Sequence, residues 1–344
     1  MSLSRPLTPA PKPRALGWSM LFLAAFVFAI VVVGGITRLT ESGLSITEWK
    51  PIHGIVPPLT EADWQAEFEG YKQIPQYTAF NTGMTLEGFK AIYFWEYLHR
   101  LLARTIGTVL LVILAVAWWK RAIPAGYGRR MVVIFLLGGL QGVIGWWMVY
   151  SGLSVRTEVS HIRLAIHLLA ALLIFSALIW TALDLFVLAR TGVDARARLR
   201  WPAGLAIAAL AIQILFGAFT AGLRAGYAFA SWPRMGEEWF PEGGWQAALG
   251  VIGNVVDNPI VVQFIHRWWA WVALAALLFL ARKAKNVGAT GEVIAIAGVA
   301  ILQILLGIAT LLLGVPIVIA VAHQAVAALL LAAAIAAAHR IGRA

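Results

Sequence analysis

The sequence contains no cysteine and few charged residues. Without cysteine there is no disulfide bond, no thiolate nucleophile and no cysteine-ligated iron–sulfur cluster, so any redox chemistry requires a bound cofactor. Asp, Glu, Lys and Arg make up 12% of the 344 residues, whereas 61% are hydrophobic. A soluble globular chain carries about twice this share of charge, so the composition indicates a polytopic membrane protein.

Eight apolar runs are long enough to cross a bilayer as helices, because one helical span needs about 20 apolar residues. The predicted fold class is therefore an all-α polytopic membrane protein with eight transmembrane helices, and an even number of spans puts both termini on one side. The predicted spans are residues 15–37, 89–119, 130–150, 161–189, 202–222, 259–281, 292–313 and 317–338.

Positive charge is concentrated on one side of these spans. Sixteen of the 27 Lys and Arg residues fall in the two tails and in the three loops that an inside N-terminus makes cytoplasmic. This bias is typical of the side that stays in the cytoplasm, so both termini are expected there. Topology thus explains the formal charge of +11, and we expect no nucleic-acid partner.

Two long connections, residues 38–88 and 223–258, fall on the outer side. A connection of this length without predicted helices or strands is more often functional than a simple linker, although a solvated spacer is the alternative. Aromatic rings with a polar edge favour the membrane surface, and we expect that location for several rings of the first loop. These are Trp49, Trp64, Phe68 and Tyr71.

The second half of the chain repeats the first, span by span and in the same order. We therefore predict two tandem, pseudo-symmetric four-helix bundles, residues 15–189 and 202–339, with a cytoplasmic linker at 190–201 and a cytoplasmic tail at 1–14. The matched segments are residues 35–38 and 218–222, 94–100 and 261–268, 140–145 and 302–307, and 166–173 and 322–330.

Four of the seven histidines occupy matched positions of this repeat. His99 and His167 lie in the first half and His266 and His323 in the second, each in the outer half of an even-numbered span. Two imidazoles that face each other at one depth are what bis-histidine ligation of haem iron requires, which predicts one haem site per half. Packing histidines and quinone or proton-relay histidines are the alternatives; zinc would be underligated by two imidazoles. No ligand role is predicted for His53, His161 or His339.

Five arginines lie near the outer ends of the spans. A guanidinium group pairs bidentately with a carboxylate, so these residues are candidates for binding haem propionates at the outer surface. The alternative is that their side chains simply reach the membrane interface. The candidates are Arg38, Arg100, Arg163, Arg224 and Arg267.

One acidic residue breaks the symmetry of the two halves. Glu96 precedes His99 by three residues and shares its helix face, whereas the matched residue of the second half is Gln263. An ionisable group at this depth in the membrane costs free energy, so its presence indicates a functional role. A carboxyl group in an apolar site is suited to proton transfer. The first half is therefore predicted to be a reaction site and the second a fixed cofactor site.

The chain resembles the haem A synthase family over essentially its whole length. The resemblance rests on the loop motif Gly-Gly-Ile-Thr-Arg-Leu-Thr-Glu-Ser-Gly-Leu-Ser at 34–45 and on Trp49-Lys50-Pro51 with Gly54 and Pro57-Pro58. It also rests on Glu96-Tyr97-Leu98-His99-Arg100, on Gln141-Gly142 and on the three further histidines. Because cysteine is absent, the chain is similar to the cysteine-free proteobacterial and mitochondrial branch.

The resemblance implies an inner-membrane enzyme that oxidises the C8 methyl group of haem O to the formyl group of haem A. It implies that His99 and His167 hold the substrate haem, that His266 and His323 hold a haem b that passes electrons, and that Glu96 is the catalytic acid. The haem sites would then lie toward the periplasm.

The partners that the resemblance implies are haem O synthase and the assembly factors of an aa3-type oxidase; the membrane electron donor is not identified by the sequence. Small residues of the third span, such as Gly138 and Gly142, permit close helix packing either in a homo-oligomer or within one chain. The main alternative function is a di-haem b-type cytochrome for electron transfer, which does not explain Glu96. A transporter with parallel repeats is a third interpretation.

Overall fold

The structure is a computed structural model that describes residues 11–49, 53–154 and 156–344. Most of the predicted cytoplasmic tail and the motif residues Lys50 and Pro51 lie outside these ranges. The described residues form helices joined by loops, with a single isolated β-bridge between Met235 and Glu238. The α-helices are α1 (Pro13–Leu39), α2 (Glu61–Lys72), α3 (Leu86–Trp119), α4 (Gly128–Tyr150), α5 (His161–Thr191), α6 (Trp201–Gly222), α7 (Gly250–Asp257), α8 (Pro259–Asn286), α9 (Thr290–Leu312) and α10 (Ile317–Arg343).

Eight of these helices are long and apolar enough to cross a membrane, and they coincide with the eight predicted spans. They are α1, α3, α4, α5, α6, α8, α9 and α10. The prediction of an all-α, multi-pass membrane protein is therefore confirmed. The two remaining helices, α2 and α7, are short and belong to the two long connections. We call the side of these connections outer and the side of the termini inner, following the predicted orientation.

Side-chain caps fix the outer ends of three even-numbered spans. Thr85, Ser160 and Asn258 each accept a hydrogen bond from a backbone N–H in the first turn of α3, α5 and α8, respectively. A cap of this kind satisfies an N–H group that would otherwise have no partner and contributes about 1 kcal/mol. The caps set where each helix begins, and hence the depth of the histidine a few turns further along.

The spans pack mostly against spans of the same half. In the first half α1 contacts α3 and α5, and α4 contacts α5; in the second half α6 contacts α8, and α9 contacts α10. The halves also meet directly, through α5 with α6 and through α10 with α1 and α5. One hydrophobic core accordingly contains residues of both halves, such as Met20 and Ala334, and the division into two separate bundles stays a prediction.

The first outer loop is a folded cap, which the sequence did not predict. It contains α2, which begins with a capping box in which Thr60 and Asp63 exchange side-chain to backbone hydrogen bonds. Phe68 and Tyr71, expected at the membrane surface, are instead buried against Phe89 of α3 in a small core beneath this helix. The expectation of a loop without secondary structure was therefore wrong.

The buried side chain of Tyr71 holds this folded cap together through hydrogen bonds. Its hydroxyl donates to Gln76 at 3.1 Å and accepts from Asn81 at 2.7 Å, and the Gln76 amide in turn donates to the backbone oxygen of Glu41 at 3.3 Å. Burial raises the pKa of Tyr71 to about 12, so the phenol stays protonated and remains a donor at physiological pH. The cap is thereby attached to the segment that follows α1.

A buried polar cluster joins the inner ends of the two halves. Asp184 of α5 is fully buried and accepts hydrogen bonds from Arg130 of α4 at 2.6 Å, from His339 of α10 at 2.9 Å and from the backbone N–H of Ala197 at 3.0 Å. Its donors thus come from the first half, the linker and the last helix. His339 therefore joins α10 to α5 in this cluster.

Replacing Asp184 by Ala is expected to destabilise the protein by about 3 kcal/mol, because Arg130 and His339 would lose their shared buried acceptor. The thermal unfolding midpoint in detergent measures this. Asp194→Ala is the matched control: it removes an exposed ion pair with Arg196 in the same region, which is worth less than about 1 kcal/mol. Equal midpoints for the two variants would contradict the role given to Asp184.

Candidate functional site

The structure brings the four predicted histidines together as two pairs. The ring centroids of His99 on α3 and His167 on α5 lie 6.5 Å apart, with an angle of 56° between the ring planes. Those of His266 on α8 and His323 on α10 lie 6.4 Å apart, with an angle of 88°. Each half therefore contains one pair of imidazoles at nearly the same separation.

Each imidazole lies against a glycine of the preceding span. A Cβ atom built on the glycine would lie 3.0 Å from the Cε1 atom of the ring at three of the glycines and 2.8 Å from it at the fourth. A side chain at Gly307 would require the ring to shift, and at the other three glycines the ring would have to move by a few tenths of an ångström. The four pairs are Gly34 with His99, Gly145 with His167, Gly217 with His266 and Gly307 with His323.

Glutamines contact three of the four histidines. The Gln141 amide nitrogen donates to the backbone oxygen of His167 at 2.8 Å and lies 3.1 Å from its Nδ1 atom. Gln213 makes the same two contacts with His266, at 3.0 and 3.1 Å. Gln303 differs, because its backbone oxygen lies 3.1 Å from Nδ1 of His323 and its amide nitrogen lies 3.4 Å from Nε2.

The spacing of each pair fits one metal ion between two rings. A metal that binds one nitrogen of each imidazole at about 2 Å places the ring centroids roughly 6 Å apart, close to the separations of 6.5 and 6.4 Å. Each glycine leaves the side of the ring that it contacts free of a Cβ atom, and the backbone oxygen of Gln303 is an acceptor for Nδ1 of His323, as in many histidine-ligated metal sites. The residues present therefore fit a bis-histidine haem in each half. Within the described ranges, no group of three or more His, Asp or Glu side chains comes together as a metal site.

Glu96 is buried but not in the apolar environment that we expected. Its Oε1 atom accepts hydrogen bonds from Arg100 at 2.6 and 3.0 Å. Its Oε2 atom accepts from the Ser45 hydroxyl and from the Ile46 backbone N–H, both at 2.8 Å. The carboxylate therefore has four donors, two from its own helix and two from the segment after α1, and it connects the two.

Gln263 and Arg267 are the matched residues of the second half. They make similar contacts with a loop, but Gln263 replaces the carboxylate of Glu96. Gln263 is buried, and its amide donates to the backbone oxygen of Phe229 at 3.1 Å. Arg267 donates to the backbone oxygens of Phe229, Ser231 and Arg234, much as Arg100 donates to those of Ile46 and Glu48. In both halves the arginine after the histidine thus anchors an outer loop.

The other three candidate arginines also have protein partners. Arg38 at the end of α1 and Arg224 after α6 both bind the Glu158 carboxylate, and Arg224 binds Glu41 as well. This cluster joins the outer ends of the two halves. Arg163 donates to the backbone oxygen of Trp147 at 2.7 Å, with its guanidinium 4.4 Å from the indole ring. Binding of a haem propionate by any of the five stays a prediction.

The remaining histidines stand apart from the two pairs. His161, at the first position of α5, is buried beside Phe219 and lies 3.3 Å from Asp257. His339 belongs to the inner cluster around Asp184. The side chain of His53 lies outside the described part of the structure.

Two groups of contacts were not predicted from the sequence. Gln213 could have been found, because it stands four residues before Gly217, the spacing that also separates Gln141 from Gly145 and Gln303 from Gly307. Ser45 belongs to a motif that we used only for recognition. Its contact with Glu96 joins positions 51 residues apart, and no local pattern indicates it.

Fold and site together define an eight-span membrane protein with a pair of facing histidines in each half. The chain belongs to the family described as cytochrome oxidase assembly protein (COX15-CtaA), which its residues 17–335 match. A protein named heme A synthase from Rhizorhabdus wittichii strain RW1 is 69% identical over 344 residues, which are 99% of this chain and 98% of that relative. One of the same name from Sphingopyxis alaskensis is 52% identical over 97% of this chain and 94% of its own length. The resemblance drawn from the motifs is thus confirmed.

Replacing Gly307 by Ala is expected to displace the His323 ring, because the new Cβ would lie 2.8 Å from Cε1. Overpacking of this kind costs about 1–3 kcal/mol, so the unfolding midpoint and the haem content of the purified protein should both fall. Gly298→Ala on the same helix meets no atom within 4 Å and should leave both unchanged or raise the midpoint slightly. A Gly307→Ala protein that retains wild-type haem content and midpoint would argue against a tight fit at His323.

Proposed function

We propose that this chain is a haem A synthase, which oxidises the C8 methyl group of haem O to the formyl group of haem A. The single observation that carries the proposal is the asymmetry of two otherwise matched sites. Both halves have facing histidines with glycine contacts, but only the first adds a buried carboxylate, Glu96, one helical turn from a histidine. The name of the relatives supports the same activity.

The first half would bind the substrate and the second a resident cofactor. His99 and His167 would hold haem O and later haem A, and His266 and His323 would hold a haem b. The resident haem, when bound, would pass electrons one at a time between the reaction site and an external partner. The ring separations of 6.5 and 6.4 Å support two imidazoles for each iron.

Glu96 would transfer protons at the substrate site. Conversion of a methyl to a formyl group by two successive hydroxylations and the loss of one water is a four-electron oxidation, so it needs an oxidant from outside this chain, and protons must be taken up and released near the C8 carbon. Arg100, Ser45 and Ile46 orient the carboxylate, and Gln263 cannot take this role in the second half because an amide does not titrate.

The five arginines remain proposed partners of haem propionates. Because Arg100 and Arg267 already anchor the outer loops and Arg38 and Arg224 share Glu158, a propionate would add to these contacts or replace one of them. All five lie near the outer ends of spans. We therefore propose that the haem edges point toward the outer side, which would be the periplasm.

The cellular setting follows from the same proposal. We infer a bacterial inner membrane with both termini in the cytoplasm, haem O supplied by haem O synthase, and haem A delivered to assembly factors of an aa3-type oxidase. The membership in a family of cytochrome oxidase assembly proteins supports oxidase-related partners.

Mass spectrometry of extracted haem tests the function. The protein is purified after co-expression with an enzyme that supplies haem O, and its haems are extracted and weighed. Haem A or its hydroxylated precursor beside haem b is expected. Haem b alone, despite abundant haem O, would contradict the proposal and favour the di-haem b-type cytochrome.

Glu96→Gln is expected to keep its haem and to lose the formyl product, because the histidines remain while the titratable group is removed. Production of haem A should fall at least about a hundredfold, as is common on removal of a general acid or base. Glu87→Gln, at an exposed position of the same helix, is the control and should make haem A normally. Full haem A production by Glu96→Gln would refute the catalytic assignment.

A further inference from the structure

Four charged residues meet where the outer ends of the two halves come together. The carboxylate of Glu158, in the segment before α5, accepts a hydrogen bond from Arg38 at 2.9 Å with one oxygen and from Arg224 with the other. Arg224 also donates to the carboxylate of Glu41 at 2.5 Å. Arg38 belongs to the first half and Arg224 to the second, so a single carboxylate binds one arginine of each half. We call these four residues the outer ion cluster.

The internal repeat passes through this cluster. Arg38 and Ala221 occupy matched positions 183 residues apart, and the same offset relates Glu41 to Arg224. Glu41 and Arg224 share a left-handed backbone conformation, with φ angles of 57° and 51°. They carry opposite charges and pair with each other. The outer ion cluster therefore lies on the boundary between the halves, where equivalent positions of the repeat face each other.

The cluster is also close to the histidine pairs along the helices. Arg38 lies four residues after Gly34 in α1, and its matched residue Ala221 lies four residues after Gly217 in α6. Each of these glycines contacts a paired histidine. Residues four apart share a helix face and are separated by about 6 Å along the axis. Arg38 donates to the backbone oxygen of Ala221 at 3.1 Å, so the cluster lies about one helical turn beyond a ring contact of each half.

Arg38 has a further donor group that is free for a carboxylate. Its Nη2 atom binds Glu158 and the backbone oxygen of Ala221, whereas its Nε atom is buried and has no partner among the described residues. A guanidinium group binds carboxylates bidentately, so a haem propionate that reaches Nε competes with Glu158 for Arg38. Glu158 then keeps Arg224 as its remaining partner.

We propose that Glu158 is a positioning residue that couples the charge of the first haem site to the reduction potential of the second. Two propionates arrive with a haem in the first site, and the competition at Arg38 directs Glu158 to Arg224. Both effects place more negative charge beside the second site. Negative charge stabilises ferric haem, which carries one more positive charge than ferrous haem, so the potential of the second haem falls when the first site is filled. This coupling rests on the proposed function, because it requires a haem in each half.

Potentiometric titration of the full-length protein in detergent tests the coupling. The chain is produced without a source of haem O, with one haem b in the second half, and is titrated before and after addition of gallium protoporphyrin IX. This porphyrin carries the two propionates and is not reduced in the range of haem b. The midpoint potential of haem b is expected to fall. A bound porphyrin, measured as gallium content, that leaves the midpoint unchanged would overturn the proposal, and so would failure of the wild type to bind it.

Glu158→Gln is the informative variant, because it removes the shared carboxylate with little change of size. It should keep its haem b and bind the gallium porphyrin, but most of the shift in midpoint potential should be lost. Glu237→Gln is the matched control, since it removes one negative charge at an exposed position of the second outer loop, and it should retain the full shift. Equal shifts in the two variants would refute the role of Glu158.

The haem-free protein provides a second test that does not depend on haem binding. Because Arg38 and Arg224 share Glu158, the effects of Arg38→Gln and Arg224→Gln on the unfolding midpoint should be non-additive, and they should become additive in the Glu158→Gln background. Additive effects in the chain that retains Glu158 would overturn the proposal. A chain that forms no haem A but shows the shift in potential would contradict the proposed function and leave the coupling intact.

Discussion

The close contact between a glycine and an imidazole is the constraint on which the rest of the structure depends. It occurs four times, and each time the glycine belongs to the span before the histidine. The contact sets the distance between two helices, and through it the separation of the rings in each pair. A side chain at any of the four glycines would require the ring that it contacts to move. The caps at the outer ends of α3, α5 and α8 fix the depth at which three of these contacts form.

The outer loops are coupled to the histidines by the residues that follow them. Arg100 and Arg267 are each adjacent in sequence to a paired histidine, and each donates to backbone oxygens of the loop on its own side. Because the guanidinium binds several carbonyl groups in a fixed geometry, movement of a loop is transmitted to the helix that carries the histidine. In the first half Ser45 and Ile46 also bind Glu96, and in the second half the backbone oxygen of Phe229 also binds Gln263. The carboxylate is thus held partly by the loop and partly by its own helix.

The sequence predicted the spans and the histidine pairs because both depend on short-range patterns. Apolar runs of membrane-spanning length identify helices without any knowledge of their packing, and the internal repeat marked His99, His167, His266 and His323 as equivalent. What could not be predicted depends on contacts between distant segments. The prediction of an apolar environment for Glu96 was wrong because its donors Ser45 and Ile46 come from another element. The core beneath α2 was missed because Phe68 and Tyr71 look like interfacial aromatics until the position of Phe89 is known.

The two halves are also connected close to their histidines, which bears on how two sites can act in one reaction. Gln324 directly follows His323, and its amide donates to the backbone oxygen of Val31 in α1 at 2.7 Å. Its side-chain oxygen lies against Gly35, where a Cβ atom would come within 2.8 Å, next to the glycine that contacts His99. The helix that carries a ligand of the second half is therefore fixed to the helix that shapes the first site. This contact is one of several between the halves, and it links the helix that packs against His99 to the helix that carries His323.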